Sequence, residues 1–331
     1  MNICIFGSGA IGSYIGALLH KNKINVSLIC RGNHLEAINN NGLLMQSAET
    51  NEEYFCKPIA SDSPNDFKKQ DVIIVTLKAH SAALTANLLK PLLKEDTIVV
   101  SAVNGLPWWY FYKSNDKFEN FKLKTVDPKN LQWDTIEPKR AVGCVVYPAA
   151  EIKKPGFVYH MEGNRFPIGE PSGEITNRVK VLSKILIESG LKSPVRKNIR
   201  SDIWMKLWGN LAFNPISALT GETLEEITNN KKSCATVKKM MIEGQKVAKA
   251  LGIEFSISLE KRIEGTRKVG AHKTSTLQDL ELGRPMEIDA LTKSVSEAGK
   301  IVGVPTPTID IIYERVKELA IKSGCYIDPN N

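Results

Sequence analysis

The stretch Asn2-Ile3-Cys4-Ile5-Phe6-Gly7-Ser8-Gly9-Ala10-Ile11-Gly12-Ser13-Tyr14-Ile15-Gly16-Ala17-Leu18-Leu19 decides the fold. Asn2 to Phe6 is a short apolar run rich in β-formers. Three glycines spaced G-x-G-x-x-G follow it, and then Ile11, Tyr14, Ile15, Leu18 and Leu19 recur at the spacing of one helix face. Strand, tight turn and helix in that order predict a dinucleotide-binding loop. The first glycine permits the turn, the second lets a pyrophosphate approach the backbone, and the third lets helix pack on strand. N–H groups at the helix start then face the phosphates. Gly7, Ser8, Gly9, Ala10, Ile11 and Gly12 are therefore the candidate cofactor loop. Glycines that merely make a turn are the alternative, which this position inside a β-α-β unit argues against.

Working outward, Val26 to Cys30, Asp71 to Leu77 and Thr97 to Val103 read as strands, with Ser81 to Leu93 as a helix. Unbroken apolar strands alternating with helices imply a doubly wound parallel sheet covered on both faces, an α/β domain. The pattern breaks over about 108–140, where Trp108-Trp109-Tyr110-Phe111-Tyr112 precedes a stretch rich in Lys, Asp and Asn that contains Trp133; this reads as an insertion. Strand-like runs resume at Ala141 to Tyr147, Gly156 to His160 and Arg165 to Ile168. Val179, Leu182, Ile185 and Leu186 then mark a helix that Gly190 can cap. After Lys192-Ser193-Pro194 the chain reads as almost purely helical to Leu319, with breaks near Pro215, Gly252, Gly283 and Pro305. The expected organisation is 1–195, a dinucleotide-binding domain carrying the insertion, and 196–331, an all-helical domain.

Composition bounds the function. The length of 331 residues suits two domains, and 42% hydrophobic with 24% charged residues excludes a disordered or fibrous chain. Forty-four Lys and Arg against 36 Asp and Glu leave +8, which suits anionic small ligands as readily as nucleic acid. No helix-turn-helix signature, RNA-binding motif or aromatic-basic platform is present, so no nucleic-acid partner is expected. The six cysteines show no Cys-x-x-Cys or Cys/His spacing, so no metal is expected and a reducing compartment is the simpler reading. No apolar run reaches the ~20 residues of a membrane span and the N-terminus lacks a signal pattern. The expectation is a cytoplasmic protein without a membrane partner.

Several residues carry chemistry. An NAD-selective site places a carboxylate at the end of the second strand, but here the strand ends Ile29-Cys30-Arg31-Gly32. Arg31 suits a 2′-phosphate, which favours NADPH; the alternative is an exposed strand-end arginine. Lys78 and Asn104 each follow a buried strand, on the rim where an open parallel sheet binds ligands, although both positions also suit plain turn formers. In Ser201 to Pro215, Lys206, Asn210 and Asn214 are four apart and share one helix stripe, while Trp204, Leu207, Trp208, Leu211 and Phe213 make the remaining surface apolar. A buried ammonium and two amides in register point into one polar cavity, and desolvation makes such a lysine a better proton donor near neutrality. Snorkelling of Lys206 to the surface is the alternative.

Gly7-x-Gly9-x-x-Gly12, Arg31, Thr76-Leu77-Lys78, Asn104-Gly105, Ile203-Trp204-x-Lys206-Leu207-x-x-Asn210-x-x-x-Asn214-Pro215, Ser275-Thr276-Leu277-Gln278-Asp279 and Glu287-Ile288-Asp289 together resemble the ketopantoate reductase (2-dehydropantoate 2-reductase) family, from residue 1 to about 320. The resemblance implies a Rossmann-type domain, then a helical domain like the C-terminal one of 6-phosphogluconate dehydrogenases, with NADPH as hydride donor and catalysis in the interdomain cleft. It implies reduction of a 2-oxo acid to a 2-hydroxy acid, 2-dehydropantoate to pantoate in pantothenate biosynthesis. It makes Lys206 the general acid, with Asn210 and Asn214 on substrate oxygens and Ser275 on the carboxylate. It sets Glu287 and Asn104 beside substrate and nicotinamide, and Lys78 beside substrate or cofactor. Glu287 also suits the start of a helix after Pro285, and Ser275 also suits a helix cap. The Trp108 to Trp133 segment departs from the compact members: it reads either as a pocket wall that alters the accepted 2-oxo acid or as an aromatic helix packed on the sheet. Other readings of the whole are a reductase of a different bulky 2-oxo acid and a non-catalytic NADPH-binding regulator, which would have no use for the lysine. The oligomeric state is open, with a homodimer among the expectations.

Overall fold

The computed structural model describes residues 1–114 and 117–328. Residues 115–116 of the expected insertion and 329–331 of the expected second domain lie outside the described residues. The chain divides into two compact units. One comprises Met1–Val103, Phe111–Asn120 and Asn130–Ile199, the other Asn104–Tyr110, Phe121–Lys129 and Arg200–Asn331.

The first unit contains β1 (Asn2–Phe6), β2 (Asn25–Ile29), β3 (Leu43–Ser47), β4 (Glu53–Cys56), β5 (Ile59–Ser61), β6 (Val72–Val75), β7 (Ile98–Ser101), β8 (Ala141–Cys144), β9 (Ala149–Lys154), β10 (Phe157–Glu162) and β11 (Ile168–Gly169). Its main sheet runs β11-β8-β7-β6-β1-β2-β5. All neighbours in it are parallel except β11, which pairs antiparallel with β8 and ends the sheet. The central strands β6 and β7 are buried at every residue, as a sheet covered on both faces requires. Ile3 pairs with Val26 on one side and Val72 on the other, which sets the glycine loop after β1 at the carboxyl end of the sheet.

A second sheet, β4-β3-β10-β9, was not expected from the sequence. The run at Gly156 to His160 does form a strand, β10, but it pairs with β3 and β9 rather than joining the main sheet. The helix α1 (Ala10–Lys21) packs on β1 and β2 and also on β3, β4, β9 and β10. That double cover explains why every residue from Gly12 to Leu19 is buried. The Tyr14 ring stacks on His160 with centroids 4.3 Å apart. The other helices of this unit are α2 (Gly32–Asn41), α3 (Ala79–Leu84), α4 (Leu131–Ile136) and α5 (Asn177–Glu188). The single helix expected over Ser81 to Leu93 is α3 followed by a tighter 3-10 stretch, Ala86–Leu92, that accommodates Pro91.

Every helix from α6 (Ile199–Thr220) onward builds the second unit, apart from Ile199 itself: α7 (Leu224–Asn229), α8 (Lys231–Ala250), α9 (Leu259–Arg267), α10 (Ser275–Glu281), α11 (Ser294–Val302) and α12 (Pro307–Lys322). Breaks fall at Gly252, Gly283 and Pro305 as expected, but α6 continues through Pro215. Proline there deprives the Leu211 carbonyl of its helical donor. Burial offsets the loss: Ile203, Trp204, Leu207, Trp208, Leu211, Ala212 and Phe213 are all in the core, and packing outweighs propensity. Trp208 donates its indole N–H to the Met241 carbonyl at 2.8 Å and stacks on Phe255.

The aromatic burst is not the aromatic helix that was one of its two expected readings. It is a series of turns shared by the two units, with Trp108, Trp109, Tyr110 and Phe111 buried. In the second unit the Trp204 indole N–H donates to the Tyr110 hydroxyl at 2.7 Å, and Arg200 Nε donates to the Tyr110 carbonyl at 2.8 Å. In the first unit Tyr112 meets Trp133 edge to face. Turn geometry rather than helical spacing defeated the helix expectation.

Candidate active site

In the first unit the glycine loop shows a different constraint at each glycine. Gly7 has φ +102°, a left-handed backbone that side chains disfavour. A Cβ on Gly12 would lie 2.6 Å from the Gly7 carbonyl oxygen and 2.6 Å from Thr76 Oγ1, so helix and strand approach only because it has none. A Cβ on Gly9 meets nothing within 4 Å. Gly9 is exposed, Ala10 and Ile11 are partly so, and Ser8 is buried. Gly7 and Ser8 both donate their N–H groups to the Ile29 carbonyl, which ties the loop to β2. The first-turn N–H groups of α1 have no helical acceptor and point outward from a helix N-terminus with no acidic residue. These are the donors a pyrophosphate takes.

Arg31 is the N-cap of α2, exposed, and among the described residues it makes no ion pair. The first turn of α2 holds no acidic residue, so a cation stands where the helix dipole favours an anion. That arrangement suits a phosphate bound between guanidinium and helix. Lys78 caps α3 from the end of β6 and is partly buried. Thr76, two residues before it, donates its hydroxyl to the Gly7 carbonyl at 2.8 Å, so this rim is fixed to the glycine loop.

The second unit gathers Lys206, Asn104 and Glu287. Lys206 Nζ donates to Asn104 Oδ1 at 2.7 Å, and Asn104 Nδ2 donates to Glu287 Oε2 at 3.1 Å. All three are partly exposed. Lys206 is thus less buried than the apolar surroundings in sequence suggested: at Lys206 and Asn210 the stripe is partly exposed. Glu287 precedes Ile288 and a π-helical turn, Asp289–Lys293, that runs on into α11. The wider turn brings the Ala290 carbonyl against Gly105: a Cβ there would lie 2.2 Å from the Ala290 oxygen, and Gly105 has φ +88°. Close approach at Gly105 therefore sets the Asn104–Glu287 contact.

At the other end of the stripe, Asn214 is buried and its amide donates to Thr276 Oγ1 at 3.1 Å and to Ser275 Oγ at 3.4 Å. Ser275 is the first residue of α10 and exposed, whereas Thr274 caps that helix by accepting from the Leu277 N–H. The capping alternative for Ser275 is thereby removed. Asn210, between Lys206 and Asn214, is partly exposed. From Lys206 to Asn214 the stripe extends about 12 Å along the helix at ~1.5 Å per residue. It presents an ammonium, two amides and a hydroxyl in order. Among the described residues no group of three or more His, Cys, Asp or Glu could hold a metal ion.

Two family models match the chain, "Ketopantoate reductase PanE/ApbA" over residues 3–173 and "Ketopantoate reductase PanE/ApbA C terminal" over 198–320. A curated 2-dehydropantoate 2-reductase of Mesorhizobium japonicum is 47% identical over 98% of this chain and 100% of its own length. The chain belongs to the ketopantoate reductase family. A solved ketopantoate reductase candidate from Ralstonia solanacearum MolK2 superposes with a TM-score of 0.93 at 35% identity, covering 98% of this chain and 99% of that one. The 2-dehydropantoate 2-reductase of Methylococcus capsulatus gives a TM-score of 0.82 at 28% identity, with 98% of each chain covered. A ketopantoate reductase is an oxidoreductase acting on a CH–OH group, with a Rossmann-type first domain and a helical second one.

Several of the expected residues lie near one another within each unit, but Asn104, expected on the rim of the first domain, belongs to the second unit with Lys206 and Glu287. Gly7 to Gly12, Arg31 and Lys78 are ordered around the carboxyl end of one sheet; Lys206, Asn104 and Glu287 form one chain of hydrogen bonds; Asn214 and Ser275 form another. The bare Gly9 leaves room for a dinucleotide's phosphates to approach the backbone. Sequence reasoning missed Thr76, Gly105 and Thr276 as site-builders. All three adjoin residues it selected, but a hydroxyl or a glycine acquires such a role only through its partner in space.

Proposed function

We propose that this protein reduces 2-dehydropantoate to pantoate with NADPH. When bound, the reduced nicotinamide supplies a hydride to C2 of the 2-oxo acid. Lys206 supplies the proton: its ammonium, oriented by Asn104 Oδ1, directs an N–H at the oxygen on which negative charge develops. Asn104 in turn is held by the Glu287 carboxylate, so the amide oxygen rather than the amide nitrogen faces the ammonium. Asn210, Asn214 and Ser275 hold substrate oxygens and carboxylate. Gly7, Ser8, Gly9, Ala10, Ile11 and Gly12 hold the pyrophosphate, Arg31 the 2′-phosphate, and Lys78 the cofactor or substrate.

The observation that carries this reading is the Lys206–Asn104–Glu287 chain of hydrogen bonds. A nucleotide-binding regulator needs the glycine loop but gains nothing from an aimed proton donor. No helix of the described residues is long and apolar enough to cross a membrane. We place the enzyme in the cytoplasm, where thiols such as its free cysteines stay reduced, and as a homodimer, which sedimentation of the full chain checks. The test of function is a spectrophotometric screen of NADPH and NADH oxidation against 2-oxo acids that include 2-dehydropantoate and bulkier aryl and branched analogues. We expect 2-dehydropantoate with NADPH to give the highest kcat/KM. A bulkier acid that surpasses it would transfer the substrate assignment, and inactivity with every acid would overturn the reading.

A further inference from the structure

We infer that His34 is a positioning residue for the cofactor site, locking the glycine loop to the helix that begins at Arg31. Four hydrogen bonds within the first unit carry this. His34 Nδ1 lies 3.1 Å from the Gly156 N–H and accepts from it. The ring's proton therefore sits on Nε2 in the neutral form, and Nε2–H donates to Ser13 Oγ at 3.0 Å. Ser13 Oγ donates to the Ser8 carbonyl at 3.1 Å and accepts from the Ser8 hydroxyl at 2.9 Å. The proton count closes: the Ser13 hydroxyl gives one hydrogen bond and takes two, its full capacity. Ser8 and Ser13 are buried, so water is a poor substitute.

The bonds from Gly7 and Ser8 to the Ile29 carbonyl tie the loop to β2, and this network adds side-chain links from the loop to α1 and α2. Ser8 is the second residue of the loop. Ser13 lies in the first turns of α1, whose N-terminus faces the phosphates. His34 lies in the first turn of α2, three residues after Arg31. α2 is otherwise shallowly seated, since Ile38 alone of its 10 residues is buried. Apolar packing thus fixes the middle of α2, and His34 fixes its start and with it the spacing between Arg31 and the glycine loop. Gly156, at the turn between β9 and β10, has φ +76° and also accepts from the Leu44 N–H, so the histidine is braced by a turn that is itself tied to β3.

The inference rests on reading the loop and Arg31 as the NADPH site. The test is fluorescence titration of the full-length wild type, His34→Ala and His34→Gln with NADPH and with NADH, alongside steady-state kinetics. NADPH engages both subsites, whereas NADH engages the loop without a 2′-phosphate. His34→Ala is expected to raise the NADPH Kd about tenfold and the NADH Kd about two- to threefold. The KM for the 2-oxo acid and kcat at saturating NADPH should be retained. His34→Gln, which keeps an N–H for Ser13, should recover most of the loss. Should His34→Ala not fold, Ser13→Ala removes the same link and is expected to show the same NADPH-weighted loss. An NADPH Kd within twofold of wild type, or equal loss for both nucleotides together with a fallen kcat, would overturn the inference. Absence of NADPH binding to the wild type would instead overturn the reading beneath it, and that arm involves no substitution.

Discussion

Lys206 keeps its charge partly in solvent while one of its three N–H groups is committed to Asn104 Oδ1. An unbranched ammonium on a four-carbon stem is ordinarily mobile, so a fixed acceptor such as the Asn104 amide oxygen orients it. Replacing it with alanine leaves Asn104 bound to Glu287 but removes the proton. Lys206→Ala is therefore expected to lower kcat by about 10²- to 10⁴-fold with NADPH affinity retained, measured by steady-state kinetics and fluorescence titration. Near-normal turnover would remove Lys206 from the mechanism. Arg31 answers to a different observable. It stands unpaired at a helix N-terminus with nothing acidic in the first turn, so its reversal to Asp favours the helix dipole and repels a 2′-phosphate. Arg31→Asp should shift the ratio of kcat/KM for NADPH over NADH toward NADH by at least about tenfold, with the fold stability unchanged or slightly raised. A ratio that stays put would assign discrimination elsewhere.

The elements show why some of this was readable and some was not. β1, the glycine loop and α1 announce themselves because period, turn residue and burial agree in one short stretch. α6 announces its polar stripe because Trp204, Leu207, Trp208, Leu211 and Phe213 surround it with apolar side chains. β3 and β4 stayed hidden: their burial alternates or is partial, and Gln46, Glu53 and Tyr54 dilute the apolar signal. The π-turn Asp289–Lys293 stayed hidden as well, since a helix with one wider turn keeps nearly the same apolar spacing as a regular one. Its effect is felt at Gly105, where the Ala290 carbonyl presses on a position with no side chain. Gly105→Ala adds a steric clash and a disfavoured φ, each costing about 1–3 kcal/mol. Because the clash lies between the segments carrying Asn104 and Glu287, kcat should fall as well. Gly303→Ala is the control, since Gly303 has φ +74° but nothing within 4 Å of its missing Cβ. It should lower Tm with kcat retained. Equal kcat in both variants would separate Gly105 from the site.

At the scale of the whole molecule, acid should weaken this fold in two stages whose signs follow from its titrating groups. Burial holds the His34 pKa below its ordinary value of about 6.5, so the unfolded chain takes the proton first. Its share of stability is complete above about pH 6.5 and is lost as pH falls from there through the lowered folded value. Asp71, held down by its hydrogen bond from Lys94 and then by the Asn2 N–H, and Glu137, held down by Lys139 and then Arg140, act later. Their contribution is complete above about pH 4.5 and is lost as pH falls through their lowered values. Asp289 opposes them: burial raises its pKa, so the folded chain takes that proton first and stability is regained as pH falls between the raised value and its ordinary one. The opposing terms overlap in the raw profile, and only a difference separates them. Urea denaturation of wild type and His34→Gln at matched pH values isolates the histidine, because the carboxylates are common to both chains. The stability difference should be constant above about pH 7 and shrink or reverse as pH falls below about 6.5. A difference that stays flat down to about pH 4.5 would mean that the imidazole titrates alike in the folded and unfolded chains, which a neutral ring clamped between the Gly156 N–H and Ser13 does not allow.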